Sequence, residues 1–328
     1  MKRRRFITLL GGAVASWPLA AHAQQAAMPV VGFLHSGSAE TQQKMLAPFR
    51  QGLAEQGYVE GKNLAVEYRW ADGRYERLPE LAADLVRRNV DVIAVPSSTP
   101  GALAAKAASS EIPIVFAVGD DPVKLGLVAS LARPGGNATG INFFIAELAA
   151  KRLGLLRELV PAATRVAVLV NPADPARTET IINDVGAAAH ALGLQVQALN
   201  ASTIREIDEA FAGVARERLQ ALFVAPDSFF NDRRVQLALL AARHAIPAAY
   251  SVRDYVEAGG LMSYGTNLAY SNRQVGVYTG LILKGAKAAD LPVQQPTQFE
   301  LVINLSAAKT IGLDVPPTLL ARADEVIE

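Results

Sequence analysis

The sequence predicts an α/β protein of two similar lobes, each a doubly wound parallel sheet, joined by a hinge that the chain crosses several times. Short β-branched segments alternate with helical stretches rich in alanine and leucine, which is typical of parallel sheets covered by helices. Two segments of the first half have close counterparts in the second half. Turn-rich stretches between the halves give the chain places to cross from one lobe to the other.

The first half contains four predicted strands separated by predicted helices. The strands are Val30–Leu34, Leu64–Tyr68, Val92–Val95 and Ile114–Val118. The helices are Thr41–Gln56, Tyr75–Arg88 and Pro100–Ala108. Helical periodicity is clearest at Leu78, Leu81, Ala82 and Leu85, which share one face because their spacings are three and four residues.

The second half follows the same scheme. Its predicted strands are Val166–Val170, Gln195–Leu199, Leu222–Val224 and Ala248–Ser251, and its predicted helices are Thr178–Leu192, Ile204–Val214 and Arg233–His244. A further helix, Ala269–Lys284, precedes a strand at Phe299–Ile303 and a short helix at Ser306–Gly312. The alternation therefore continues through both halves.

Two pairs of segments indicate that the lobes are alike. Val90–Ser97 resembles Leu219–Asp227, and Ile112–Phe116 resembles Ile246–Tyr250. The turn-rich stretches at residues 133–140 and 257–262 suit crossings between the lobes. We therefore expect residues 28–138 and 263–295 to form one lobe and residues 139–262 and 296–328 to form the other, with a cleft and a hinge between them.

The first 23 residues read as an export signal. A basic run, residues 2–5, precedes the apolar stretch Phe6–Leu19, and Ala21-His22-Ala23 predicts cleavage after Ala23. The Arg3-Arg4 pair resembles the twin-arginine export motif, with the general secretory route and a retained membrane anchor as alternatives. We expect an exported protein that resides in the periplasm.

Composition excludes several classes of partner and site. The signal holds four of the 32 basic residues and no acidic one, which leaves 28 against 31 acidic residues and a net charge of −3. That balance argues against nucleic acid as a partner. The chain contains no cysteine, which excludes thiolate nucleophiles and cysteine-zinc sites. The histidines have no metal-binding spacing. We expect no cofactor and no metal.

Catalytic motifs are equally scarce. The sequence has no nucleotide-binding glycine motif and no G-x-S-x-G elbow. Asp120-Asp121 is the most suggestive carboxylate pair, but adjacent residues at a strand end point in different directions. We expect a protein that is not an enzyme. An exported α/β hydrolase or lyase that uses Asp120 or Asp121 as a base is the alternative.

Candidate ligand-binding residues lie at the carboxyl ends of the predicted strands, where open α/β sheets bind ligands. The set is Ser36, Ser98, Thr99, Asp121, Phe143, Asn171, Asp227 and Tyr250. Ser98 or Thr99 could begin a helix whose amides bind a carboxylate, and Asp121 could pair with an ammonium group. Phe143 and Tyr250 could provide flat walls for an apolar or aromatic ligand.

The order of several segments resembles a known family. They are residues 31–37, 49–53, 57–63, 67–71, 121–123, 133–137, 257–265 and 299–304. Together they resemble the substrate-binding proteins of ABC transporters typified by the tryptophan-binding component, which have the bilobal type I periplasmic-binding fold. Asp120 is a departure, because similar sequences often have Ser or Thr before the aspartate.

The resemblance implies a receptor that closes on a small organic solute, such as an amino acid or an aromatic compound. The receptor delivers the solute to a permease and ATPase complex in the inner membrane. Pocket residues carry over by position to Ser36, Ser98, Thr99, Asp121, Asn171, Asp227 and Tyr250. We expect a monomer. A sensor that presents its ligand to a chemoreceptor or kinase shares the fold and remains an alternative.

Overall fold

A computed structural model of the protein describes residues 28–143, 147–296 and 299–328, so the predicted signal segment lies outside the described residues. The strands are β1 (Val30–His35), β2 (Ala65–Trp70), β3 (Val92–Val95), β4 (Ile114–Val118), β5 (Ala138–Asn142), β6 (Arg165–Val170), β7 (Gln195–Asn200), β8 (Ala221–Val224), β9 (Ala248–Tyr250), β10 (Met262–Thr266), β11 (Phe299–Asn304) and β12 (Glu325–Ile327). The helices are α1 (Gln43–Glu55), α2 (Leu78–Arg87), α3 (Thr99–Ala108), α4 (Glu147–Leu159), α5 (Pro175–Ala191), α6 (Ile204–Arg216), α7 (Ser228–Asp232), α8 (Arg234–Arg243), α9 (Asp254–Glu257), α10 (Leu268–Leu283), α11 (Leu305–Thr310) and α12 (Pro317–Leu320).

The described strands form two sheets that share one strand order. The first is β2-β1-β3-β4-β5 and is parallel throughout. The second contains β7-β6-β8-β9-β10, which is the same order, and adds β11 antiparallel to β10 and β12 parallel to β11. The repeated segments of the sequence therefore occupy equivalent positions in the two sheets: β3 corresponds to β8, and β4 corresponds to β9. The prediction of two similar parallel-sheet lobes is confirmed.

Each sheet is buried on both faces, as a doubly wound sheet requires. In the first lobe one face packs against α1 and α10 and the other against α2 and α3. In the second lobe, buried residues of α6 and α8 lie on one side of the sheet and those of α4 and α5 on the other. One cluster of buried apolar side chains continues across both lobes. None of the described helices combines the length and apolar character needed to cross a membrane.

Three crossings connect the lobes: β5 to α4, β10 to α10, and the segment that leads into β11. The first two are tied together, because the Thr266 hydroxyl donates to the Phe143 carbonyl over 2.8 Å. Gln294 pairs with β5 through hydrogen bonds to Gly140 and Asn142, both over 2.9 Å. The third crossing thus lies beside the first, and the three together form the hinge.

Sheet membership differs from the expected lobe limits at two strands. Strand β5 pairs with β4 in the first sheet, although residues 139–142 were expected in the second lobe. Strand β10 pairs with β9 in the second sheet, although residues 263–266 were expected in the first. Helix α10 packs on α1 beside the first sheet, and β11 belongs to the second sheet.

Strand β5 overlaps, and β10 adjoins, a glycine-rich stretch for which the sequence predicts a turn. The structure shows that these glycines serve close approach of neighbouring backbone. A Cβ on Gly140 would lie 1.9 Å from the Phe116 carbonyl oxygen, and one on Gly265 would lie 1.9 Å from the Ser251 carbonyl oxygen. Glycine is therefore required inside these strands, and the local pattern alone does not distinguish that use from a turn.

Glycines also allow α1 and α10 to pack closely. A Cβ on Gly276 would lie 2.1 Å from the Phe49 carbonyl oxygen. We expect Gly276→Ala to lower the free energy of unfolding by about 1–3 kcal/mol, because the helices must move apart. Gly186→Ala on α5 is the matched control, since its Cβ would meet nothing within 4 Å. Urea unfolding followed by circular dichroism compares the two, and equal effects would contradict the close contact.

Candidate functional site

Two adjoining cavities lie between the lobes, at the carboxyl ends of the strands. Each has a volume of about 20 Å³, which is room for about one water molecule. Residues that line both are Ser97, Ser228, Asn231, Val252 and Leu268. An amino-acid-sized solute therefore enters only if the lobes separate. Two larger surface hollows, of about 550 and 530 Å³, lie on the first lobe outside this cleft.

We call one cavity the Arg177 half of the cleft and the other the Asp254 half. The Arg177 half is also lined by Thr99, Phe143, Arg177, Pro226, Asp227 and Ser251. The Asp254 half is also lined by His35, Thr41, Gln42, Met45, Arg234 and Asp254. Both halves thus combine charged groups with apolar walls, as small-molecule sites do.

Arg177 is the central cation of its half. It follows the α5 N-cap Asp174 by three residues, and its side chain is 13% exposed. Its Nε lies 3.7 Å from Oδ2 of Asp120 in the other lobe and has no hydrogen-bond partner among the described residues. Burial alone would lower the pKa of Arg177, but Asp120 and then Asp227 outweigh it and raise that pKa. The guanidinium therefore stays charged while part of its hydrogen-bonding capacity is unused.

Two carboxylates accompany this guanidinium. Asp120 accepts a hydrogen bond from the Thr99 hydroxyl over 3.1 Å. Asp227 accepts from Asn171 Nδ2 over 3.0 Å and, across the cleft, from the Tyr75 hydroxyl over 2.9 Å. Burial raises the pKa of Asp227, against the opposing effect of Arg177 and these donors. Arg177 therefore lies beside two acids, and one of them, Asp227, already accepts hydrogen bonds from both of these donors.

A second interlobe contact lies at the start of α1. Oδ1 of Asp232, in the second lobe, accepts from the Thr41 hydroxyl over 2.5 Å and from Gln42 Nε2 over 2.8 Å. Its Oδ2 accepts from the Ser38 amide over 3.1 Å. We call this set the Asp232 clasp. It joins two lobes that the hinge allows to separate, so it exists only in the closed arrangement.

His35 lies at the end of β1 and lines the Asp254 half. Burial lowers its pKa to about 4, although Asp232 acts in the opposite direction, so the ring is neutral at neutral pH. Its Nδ1 accepts the Gly37 amide over 2.8 Å, so Nε2 carries the proton. The ring stacks on Phe33 and makes a tilted contact with Trp70. His35 therefore offers a neutral hydrogen-bond donor.

Of the sequence-predicted residues, Thr99, Phe143 and Asp227 line the cleft. Asn171 does not line the cleft, but its side-chain amide donates a hydrogen bond to the Asp227 carboxylate. Strand-end position therefore places part of the set where a solute would lie.

The other four predicted residues have different surroundings. Ser98 caps α3 by accepting the Gly101 amide, and it donates to the Ser36 hydroxyl over 2.8 Å. Asp121 accepts the Val123 amide over 2.9 Å, as a turn cap does. Tyr250 is buried and stacks on Tyr255, with ring centroids 4.4 Å apart. None of these four lines either half of the cleft in the part of the chain that the structure describes.

Several cleft residues were not singled out from the sequence, among them Arg177, Asn231, Arg234 and Asp254, and neither was Asp232 of the clasp. They lie within helices that follow the strands. Arg177 does carry a signal in the sequence. A cation in the first turn of a helix is unfavourable beside the positive end of the helix dipole, so its presence there indicates a role other than stabilising the helix. The polar run at residues 231–234 between β8 and α8 is a second signal.

The two adjacent acids of the first lobe have different partners. Asp120 faces Arg177, whereas Asp121 binds backbone amides, so the adjacent acids do not form a pair that shares a proton. Among the described residues no group of three His, Asp or Glu side chains is placed to hold a metal ion. The site consists of a charged, hydrogen-bonded cleft that two lobes close.

Comparisons with known proteins agree with this reading. The family model described as "ABC transporter substrate binding protein" matches residues 31–327. A tyrosine-binding protein of Clostridioides difficile (strain R20291) is 26% identical over 265 residues, which are 81% of this chain and 75% of that protein.

Two solved structures are similar along nearly their whole length. A conserved domain protein of Vibrio cholerae is 28% identical with a TM-score of 0.83, and covers 91% of this chain and 99% of its own. An ABC domain of Streptococcus pneumonia in complex with L-Trp is 25% identical with a TM-score of 0.82 and has the same coverage. The two lobes have the type I periplasmic-binding fold that the resemblance implied. The chain belongs to the substrate-binding proteins of ABC transporters, extracytoplasmic receptors that bind a small solute for a membrane permease.

Proposed function

We propose that this chain captures a free amino acid between its lobes, delivers it to the permease and catalyses no reaction. The observation that carries the proposal is Arg177, a buried guanidinium with an unpartnered Nε beside two acids. An amino acid is a zwitterion, so its carboxylate complements Arg177 and its ammonium complements a neighbouring acid. The relatives named for tyrosine or solved with L-Trp support the same class of ligand.

Asp120 is the acid that we assign to the ammonium group. Asp227 is already bound by Asn171, Tyr75 and the Phe229 amide, whereas Asp120 accepts one hydrogen bond, from Thr99. A carboxylate with remaining lone pairs can accept an ammonium donor. Because Asp120 and Arg177 belong to different lobes, a zwitterion bound by both would favour closure.

The sequence-predicted residues take two roles in this proposal. Thr99, Phe143 and Asp227 contact the solute. Asn171 holds Asp227, while Ser36, Ser98, Asp121 and Tyr250 fix the loops and the core around the cleft. We further propose cleavage after Ala23, passage by the twin-arginine route and residence in the periplasm, as the basic, apolar and small-residue segments of the first 23 residues support. The mature chain is proposed to be a monomer.

Isothermal titration calorimetry of the mature chain with amino acids, sugars, carboxylates and short peptides tests the proposal. We expect one class of amino acid to bind with a micromolar or lower Kd and to be recovered unchanged. Turnover of a substrate without such binding would contradict it and favour the hydrolase or lyase. In that case replacing both Asp120 and Asp121 by Asn would abolish turnover, whereas in a receptor it would weaken binding. Loss of solute uptake in a deletion strain separates transport from sensing.

A further inference from the structure

We propose that the Asp254 half selects a solute with a cationic group at its far end, so that the ligand is a basic amino acid rather than an aromatic one. This inference rests on the proposed function, because Arg177 and Asp120 are taken to bind the amino and carboxyl groups common to all amino acids. The Asp254 half then receives the side chain of the solute.

Asp254 is an acid of the cleft that has no ion-pair partner among the described residues. Its side chain lines the cavity and is half-buried at the start of α9. Across the described ranges it makes no hydrogen bond and no ion pair within 4.0 Å. Burial raises the pKa of its carboxyl, although Arg234 opposes this. A carboxylate removed from water without a partner is unfavourable, and a bound cation would remove that cost.

The nearby cations are already engaged elsewhere. Arg234 donates to the carbonyl oxygens of Asn231 over 2.9 Å and of Thr41 over 3.3 Å. Lys44 pairs with Glu257 over 2.9 Å, and Arg253 pairs with the same glutamate over 2.9 Å. Gln42 and Thr41 both donate to Asp232 rather than to Asp254, and His35 is neutral. Within the described part of the chain, no cationic side chain therefore lies within 4.0 Å of the Asp254 carboxylate, and Arg234, which lines the same half, acts on it only from farther away.

The walls of this half suit a methylene stem. Met45, Val252 and Leu268 provide its apolar lining. Among its described lining residues the ring of His35 is the one aromatic group, and that ring already contacts the rings of Phe33 and Trp70. An unbranched side chain packs its carbons against aliphatic residues and carries its charge at the tip. Lysine, ornithine and arginine have this form, whereas tryptophan and tyrosine do not.

Calorimetry with matched ligands tests the inference. We expect the mature chain to bind lysine, ornithine or arginine at least about tenfold more tightly than tryptophan or tyrosine. Norleucine, which resembles lysine without its ammonium group, should bind at least about tenfold more weakly than lysine. Asp254→Asn should remove most of the lysine preference, so that lysine and norleucine bind with similar affinity, and Asp254→Ser should do the same. Asp208→Asn, on the surface of α6 in the same lobe, is the control.

The outcomes separate the two proposals. Tighter binding of tryptophan or tyrosine than of lysine overturns the Asp254 inference and leaves amino acid capture intact. A lysine preference that survives both Asp254 variants also overturns it. Binding of no amino acid at all overturns the proposed function itself. A thermal melt of each variant without ligand confirms that a lost preference reflects binding and not unfolding.

Discussion

Arg177→Gln is expected to weaken binding of every amino acid by more than about 100-fold, or about 3 kcal/mol. The substitution removes the buried positive charge that we assign to the solute carboxylate. It also leaves Asp120 and Asp227 in the closed cleft without their shared cation. Both effects act against the closed, ligand-bound form, so the loss should exceed that of any other single substitution in the site. Calorimetry with the tightest-binding amino acid measures it.

Two further variants show whether the charge itself is responsible. Arg177→Lys keeps the charge but loses the planar fork of donors, so it should retain part of the affinity. Arg205→Gln, at a surface position of α6 with an 83% exposed side chain, should change nothing. Undiminished amino acid affinity in Arg177→Gln would exclude Arg177 from ligand binding. A thermal melt without ligand reports any separate loss of stability.

Asp232→Asn is expected to raise the dissociation rate of the bound solute by about 10- to 100-fold. The Asp232 clasp contains three hydrogen bonds from the first lobe to one carboxylate of the second. Hydrogen bonds to a charged group contribute about 1.5–3 kcal/mol each, and an amide presents a donor where one oxygen accepted. Because the clasp forms only on closure, its loss should shorten the lifetime of the closed state and leave the fold of each lobe intact. Stopped-flow fluorescence of ligand release measures the rate.

Small-angle X-ray scattering at saturating ligand complements the rate measurement. The Asp232 variant should show a larger radius of gyration than the wild type, since its lobes separate more often. Asp208→Asn is again the control, because its carboxylate accepts a hydrogen bond from Gln236 within the second lobe. An unchanged release rate would mean that the clasp does not contribute to closure.

The architecture was predictable because buried parallel strands are short, apolar and β-branched. The predicted strands at β1, β3, β4, β6 and β8 agree with the structure to within one residue at either end. Strands β5 and β10 were not predicted, because their glycines are required by the close approach of neighbouring backbone, to which a φ of +155° adds at Gly140. Such a requirement depends on residues far away in sequence. Local pattern therefore indicates the repeat but not the strands that border the hinge.

The site was predictable in part, for a geometric reason. Strand-end loops lie at the cleft, and Thr99, Phe143 and Asp227 line it, while their contact with a solute stays a prediction. Alternation along a strand decides which neighbour faces inward, and at β9 it places Tyr250 in the core while Ser251 lines the cleft. Arg177, Asp232 and Asp254 reach the cleft from helices. Their orientation depends on how each helix packs, which the sequence does not specify locally.

Native mass spectrometry of the protein isolated from its own cells is the most direct test of capture. We predict a mature chain beginning at Gln24 that carries one amino acid per monomer, and an Arg177→Gln chain from the same cells that carries none. A co-purified molecule without a carboxylate, or the same amino acid retained by the Arg177 variant, would contradict the account.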